Sequence, residues 1–344
     1  MTSGFATATS TEHFAARFDA ASRNGFYRTA QGLTISTLGL GTYLGSPDAA
    51  TDRAYQEAIE TAVRGGVNFL DAAINYRNQR SERSIGAALA ELFRAGQAGR
   101  EELVVATKAG FLTPGAVPQF LQPADIVGDM HSMQPDFLAD QIDRSRANLG
   151  LDTIDIFYLH NPETQLGFIG REEFEGRMRR ACAKLEALVD AGRIRWYGTA
   201  TWDGYRRPQG ARDALDLGRL AGIAAAEGGP EHHFRFIQLP FNLAMPEAFT
   251  TGVLERAAQL GISVVASASL LQARLSRDLP AALAEKLPGL ATDAQRAIQF
   301  TRSTPGIAAA LVGMSRTAHV AENLRVAAVP PLGTEAYQGL YQRA

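Results

Sequence analysis

The chain has 344 residues, 46% of them hydrophobic and 20% charged, with a formal net charge of −2. That length suits one large α/β barrel or two ordinary domains, and the near-neutral balance excludes the basic footprint of a nucleic-acid binder or of a protein held to an acidic membrane. The single cysteine, Cys182, excludes an internal disulfide, no apolar run is long enough to cross a bilayer, and residues 1–28 have no continuous apolar core of the secretory kind, so a cytoplasmic protein is expected.

The opening is rich in Ser, Thr and Ala. Residues 1–28 are expected to form a partly loose arm, pinned by Phe14, Phe18, Phe26 and Tyr27. Residues 27–36, centred on Gln31-Gly32, read as a hairpin. A repeated rhythm then begins, in which an apolar run ends in a polar or glycine-rich loop and an amphipathic helix follows. Strands are expected at 38–41, 67–70, 103–107, 154–159, 194–198, 234–239, 262–266 and 308–312. Helices are expected at 51–64, from the capping residue Ser81 onward, and at 135–149, 172–191, 210–226, 246–260, 292–302 and 317–327. Gly65 is the expected left-handed residue closing the first helix, and Pro135 suits a first helical turn. The long loop 109–134 carries three prolines together with Phe111, Phe120 and Leu121 and is expected to act as a partial lid.

Eight alternating strand–helix units require right-handed crossovers and a parallel sheet. The fold class expected is α/β, a (β/α)₈ TIM barrel with an N-terminal hairpin and long βα loops. The barrel forms one domain over residues 29–344, with its active site at the carboxyl ends of the strands. Asp71, Lys108 and His160 stand at the ends of the second, third and fourth strands, and Tyr76 lies just past the first of these. Four ionisable groups are therefore expected over one mouth. A free phenol titrates near 10. A nearby ammonium favours the phenolate and makes the phenol a better acid, and a carboxylate holds that ammonium in place. The set suits proton donation to a carbonyl oxygen that receives hydride from a cofactor.

At these residues the chain resembles the aldo-keto reductase superfamily. The matching stretches are Phe69-Leu-Asp-Ala-Ala-Ile-Asn-Tyr76, Ser81-Glu82, Ala106-Thr-Lys-Ala109, Leu159-His-Asn-Pro162 and Gly192-Arg-Ile-Arg-Trp-Tyr-Gly198, followed by Ile237-Gln-Leu-Pro-Phe-Asn242, Pro305-Gly306, Gly313 and Glu322-Asn323. The resemblance implies a catalytic tetrad of Asp71, Tyr76, Lys108 and His160, with tyrosine as general acid and NAD(P)H as hydride donor. It implies cofactor contacts from Thr42, Tyr43, Asp71, Ala200, Thr201, Gln238, Ser267, Leu270, Arg274, Gly313, Ser315, Arg316, His319, Glu322 and Asn323. Residues 313–323 run from a loop into a helix whose first N–H groups suit phosphate. Arg316 and His319 suit a 2′-phosphate and Arg274 the pyrophosphate, so NADP(H) is expected over NAD(H). Two positions depart from the family: Ala200-Thr201 replaces the usual Ser-Asn that holds the nicotinamide carboxamide, and Ser267 stands where an aromatic often stacks on the ring.

Tyr43, Tyr76, Phe111, His160 and Trp202 are expected to line a mouth for a small-molecule carbonyl or sugar. The expected activity is reduction of an aldehyde or ketone by a monomer or weak homo-oligomer. The alternatives are an NAD-dependent sugar or polyol dehydrogenase and a regulatory barrel that binds nucleotide with little turnover. No metal site is expected. His232-His233 precedes the sixth strand, at the amino end of the barrel, and reads as structural. The glycines of 39–45 lack the spacing and the helix of a dinucleotide fingerprint. Arg177, Arg179 and Arg180 read as a solvated helix face, and Cys182 as helix packing.

Overall fold

The computed structural model describes residues 1–341. Its first helix, α1 (Ala8–Ala16), begins where the Thr7 side chain accepts the Ser10 N–H, a cap that satisfies one of the free donors of a first turn. The short α2 (Asp19–Arg23) follows. The opening is therefore not loose. Phe14 and Phe26 are buried in the core, and the Tyr27 hydroxyl donates to the Gly66 carbonyl at 2.7 Å. Strands β1 (Tyr27–Ala30) and β2 (Leu33–Ser36) pair antiparallel about Gln31 and Gly32, both at positive φ. Leu33 and Ile35 pack with Phe69, Ile156, Trp196 and Phe236 inside the barrel, so the hairpin plugs its amino end.

Next come β3 (Leu38–Gly41), α3 (Ala49–Arg64), β4 (Phe69–Asp71), α4 (Arg80–Arg94) and β5 (Val104–Ala109). The long loop holds a small hairpin, β6 (Ile126–Val127) and β7 (His131–Ser132). The chain continues through α5 (Pro135–Leu149), β8 (Ile154–His160), α6 (Arg171–Asp190), β9 (Ile194–Ala200), α7 (Leu217–Gly228), β10 (Phe234–Pro240), α8 (Glu247–Thr250), α9 (Val253–Gln259), β11 (Ser263–Ser267), α10 (Ala282–Lys286), α11 (Asp293–Ser303), β12 (Ile307–Gly313), α12 (Thr317–Asn323) and α13 (Thr334–Gln338). Strands β3, β4, β5 and β8 to β12 close into a barrel with parallel pairing throughout. This is the (β/α)₈ architecture.

Local details differ from the sequence reading. Gly66, not Gly65, takes the left-handed conformation after α3, with φ 99°. Ser81 does not cap α4 but lies in its first turn, where its hydroxyl donates to the Thr42 carbonyl at 2.7 Å and ties α4 to the end of β3. The helix expected from residue 210 starts only at Leu217, because Asp216 caps it by accepting the Arg219 N–H. The helix expected over 246–260 is broken into α8 and α9 at Gly252, φ 79°. Gly39 is a packing glycine: a Cβ there meets Leu311 Cδ2 at 2.7 Å.

Candidate active site

The strand ends meet as parallel closure requires. Gly41 is level with Asp71, Asp71 with Ala106, Lys108 with Tyr158, and His160 with Ala200. Lys108 is fully buried. Its ammonium donates to Asp71 Oδ2 at 2.5 Å and to the Ala72 carbonyl at 2.7 Å. The other oxygen of Asp71 accepts from Gln238 Nε2 at 2.8 Å. Burial by itself works against charge on Lys108, but the Asp71 carboxylate and then Tyr76 outweigh it, and the lysine is held charged above its ordinary range. The ammonium lies 4.8 Å from the centroid of the Tyr76 ring. Tyr76 packs edge-on against Tyr43, centroids 4.9 Å apart, and against His160 at 5.7 Å. Burial pushes the phenol upward and Lys108 pulls it back. The net direction is upward, so near neutral pH the Tyr76 phenol is protonated.

Tyr76 leads into three successive left-handed residues, Arg77, Asn78 and Gln79. Non-glycine residues enter that region at a cost on the order of 1 kcal/mol each. Arg77 holds the turn: its buried guanidinium donates to the Ser46 carbonyl at 3.0 Å and pairs with Asp52 on α3. The loop carrying Tyr76 is thereby tied to the loop carrying Tyr43.

His160 is neutral. Burial, then Lys108, then His131 hold it well below its ordinary value. His131 was not singled out in the sequence, because it lies in a long loop with no pattern around it. It is fully buried, its Nε2–H donates to the His160 carbonyl at 2.8 Å, and its Nδ1 accepts from Gln165 Nε2 at 2.8 Å. Gln165 Oε1 in turn accepts from Arg177 at 2.8 Å. Arg177 is therefore turned inward, while Arg179 and Arg180 are exposed as expected. Phe111 stands edge-on to both histidines at 5.2 Å. Gly110 permits this approach, since a Cβ there lies 2.6 Å from His131 Nε2 and 2.7 Å from the His160 carbonyl oxygen.

Above these groups lies a cavity of about 630 Å³. Of the residues expected at it, Thr42, Tyr43, Asp71, Tyr76, Phe111, His160, Ala200, Thr201, Trp202, Gln238, Ser267, Leu270, Gly313, His319, Glu322 and Asn323 line it. Lys108 lies beneath the lining, held by Asp71. Arg274, Ser315 and Arg316 do not line it; Arg274 and Arg316 are exposed. Asn75 and Asn161 line it and were not expected, while Ser269 lies in the stretch 267–274 expected at the cofactor. Two buried hydroxyls of the lining, Thr201 and Ser269, have no hydrogen-bond partner, which suits a ligand rich in polar groups along this wall. Among the described residues no His, Cys, Asp and Glu cluster is arranged for a metal ion. His233 binds Glu186 at 2.7 Å just before β10, and Cys182 is a buried free thiol pushed up to about 12.

A profile of the aldo/keto reductase family matches residues 37–342. A probable voltage-gated potassium channel subunit beta of Arabidopsis thaliana is 24% identical over 88% of this chain and 90% of its own. A D-threo-aldose 1-dehydrogenase of a Pseudomonas species is 27% identical over 87% of this chain and 92% of its own. The crystal structure of an aldo-keto reductase from Klebsiella pneumoniae in complex with NADPH superposes with a TM-score of 0.66 at 20% identity, covering 91% of this chain and 92% of that one, which shows the shared fold. With the profile spanning all eight barrel strands, the chain belongs to the aldo/keto reductase family, and membership implies a nicotinamide-dependent oxidoreductase.

Proposed function

We propose that this protein reduces an aldehyde or ketone to an alcohol, with Tyr76 as the proton donor and NADP(H) preferred over NAD(H). One observation carries the reading. A lysine ammonium, anchored by Asp71 at 2.5 Å, stands 4.8 Å from the ring of a tyrosine that faces the cavity.

When bound, the nicotinamide supplies the hydride. The chain's own residues do the rest. Tyr76 gives its proton to the oxygen that gains charge, and Lys108 stabilises the phenolate left behind. Asp71 keeps Lys108 in place. His160, neutral, is suited to hydrogen-bond the substrate oxygen and orient it. Tyr43, Phe111 and Trp202 form apolar walls for the remainder of the substrate. Thr42, Tyr43, Asp71, Ala200, Thr201, Gln238, Ser267, Leu270, Gly313, Glu322 and Asn323 are assigned to the cofactor. The unpaired hydroxyl of Thr201 is assigned to the carboxamide in place of the missing asparagine. Arg274, Ser315 and Arg316, beyond the cavity rim, are assigned to its phosphates together with His319 of the lining.

The test is the loss of absorbance at 340 nm with NADPH or NADH and a panel of aromatic aldehydes, dicarbonyls and aldoses. Tyr76→Phe is expected to lower kcat by at least about a hundredfold with cofactor binding retained. A phenylalanine variant as active as the wild type contradicts the role. A second reading, an NAD-dependent sugar or polyol dehydrogenase, draws on the full-length similarity to the Pseudomonas dehydrogenase; faster turnover of an aldose with NAD⁺ than of any carbonyl with NADPH favours it. A nucleotide-binding regulatory barrel is favoured instead if both nicotinamides bind and nothing on the panel turns over.

A further inference from the structure

We infer that Glu163 is a positioning residue that pins Trp202 as one wall of the substrate mouth, and that the site thereby favours carbonyl compounds bearing a flat ring. The inference rests on the reading of this cavity as a carbonyl site.

Glu163 follows His160 by three residues, beyond the left-handed Asn161 and Pro162. It is 7% exposed. A single oxygen, Oε1, accepts three successive backbone N–H groups, from Trp202 at 2.9 Å, Asp203 at 3.1 Å and Gly204 at 3.3 Å. Successive N–H groups converging on one anion form a nest, a motif that binds free anions elsewhere. Here the acceptor is a carboxyl group of the chain itself, 39 residues away from Trp202. The segment between β9 and α7 holds turns but no helix or strand of its own. The clasp therefore joins the strand end that carries His160 to the turn that carries Trp202. Trp202 lines the cavity yet is 41% exposed, and burial alone does not hold an indole so open. The second carboxylate oxygen is buried without a partner. Nothing about the clasp touches the reacting groups, so its removal should alter the shape of the mouth and spare the proton donor.

The chain contains two tryptophans, and Trp196 packs inside the barrel. In a Trp196→Phe background the remaining fluorescence reports Trp202 alone. Glu163→Ala in that background should roughly double acrylamide quenching. Binding of 4-nitrobenzaldehyde, read through the same indole, should weaken about five- to tenfold, the size of an aromatic contact. In the chain with Trp196 intact, KM for the aromatic aldehyde should rise by a similar factor, with kcat within twofold and KM for glyoxal within twofold. Glu163→Gln, which keeps an acceptor oxygen, should restore most of each value and guards against a variant that fails to fold. Trp202→Ala should reproduce the KM effect, and the double variant should add nothing to it. Unchanged quenching, an equal rise in KM for both aldehydes, or additive effects in the double variant overturns the inference. If the wild type reduces no carbonyl at all, the proposed reaction fails on its own account, while quenching and aldehyde binding still decide whether Glu163 sets this wall.

Discussion

The Nε2–H of His131 donates to the carbonyl oxygen of His160 at 2.8 Å, so a residue of the β6–β7 hairpin is bonded to the backbone of the strand end that reaches the cavity floor. Gln165 completes the ring's bonding on the other side, and burial holds His131 down to about 4.

That value has a consequence for stability. An unfolded histidine titrates near 6.5. Between 6.5 and about 4 the unfolded chain takes up a proton that folded His131 refuses. The stabilisation is fully present above 6.5 and is lost as the pH falls toward 4, up to roughly 3 kcal/mol. Urea melts at pH 7 and pH 4.5 should show that His131→Gln loses less stability on acidification than the wild type. Equal losses contradict the assignment.

Asp71 and Lys108 form a buried pair in which each side chain is almost wholly excluded from solvent. Removing one member leaves the other uncompensated, at a cost of about 3–5 kcal/mol. Asp71→Asn should lower the urea midpoint accordingly. Asp71→Asn combined with Lys108→Met should recover most of that stability and none of the carbonyl reduction. A single variant within about 1 kcal/mol of the wild type is incompatible with a charged buried lysine.

Gly110 leaves room for the His131–His160 contact. Gly110→Ala places a Cβ within 2.7 Å of both partners, so the hairpin must shift. A destabilisation of about 1–3 kcal/mol is expected, with kcat/KM down about tenfold. Gly222→Ala is the control: it lies in α7 with open space around the new Cβ and should gain about 0.5–1 kcal/mol from helix propensity. Thermal melts and initial rates on both variants separate the two outcomes.

Arg316 is exposed at the start of α12 and makes no ion pair among the described residues. If it meets the 2′-phosphate, Arg316→Ala should raise KM for NADPH about tenfold, the weight of a charge-assisted contact, and leave KM for NADH within twofold. Equal changes for both cofactors remove the basis for NADP(H) preference at this residue.

Periodicity and strand-end position made the barrel and the meeting of Asp71, Lys108 and His160 legible without coordinates. A closed parallel sheet sends every carboxyl end to one face, so a residue's place in its own strand suffices to bring it there. Tyr76 followed because it sits just past such an end. The rest depended on contacts between segments whose local patterns are silent about each other. The Ser, Thr and Ala of the opening hid a helix that buries Phe14. Arg177, apparently one of three solvent-facing arginines, turns inward because Gln165, 12 residues before it, offers an amide oxygen there. His131 meets the carbonyl of a residue 29 positions on, and Glu163 the turn of Trp202, 39 positions on. Composition and spacing encode which face of an element is apolar. They do not encode which loop backbone a buried polar side chain will find once eight strands have closed, because that choice is made by the free donors and acceptors the closure leaves over.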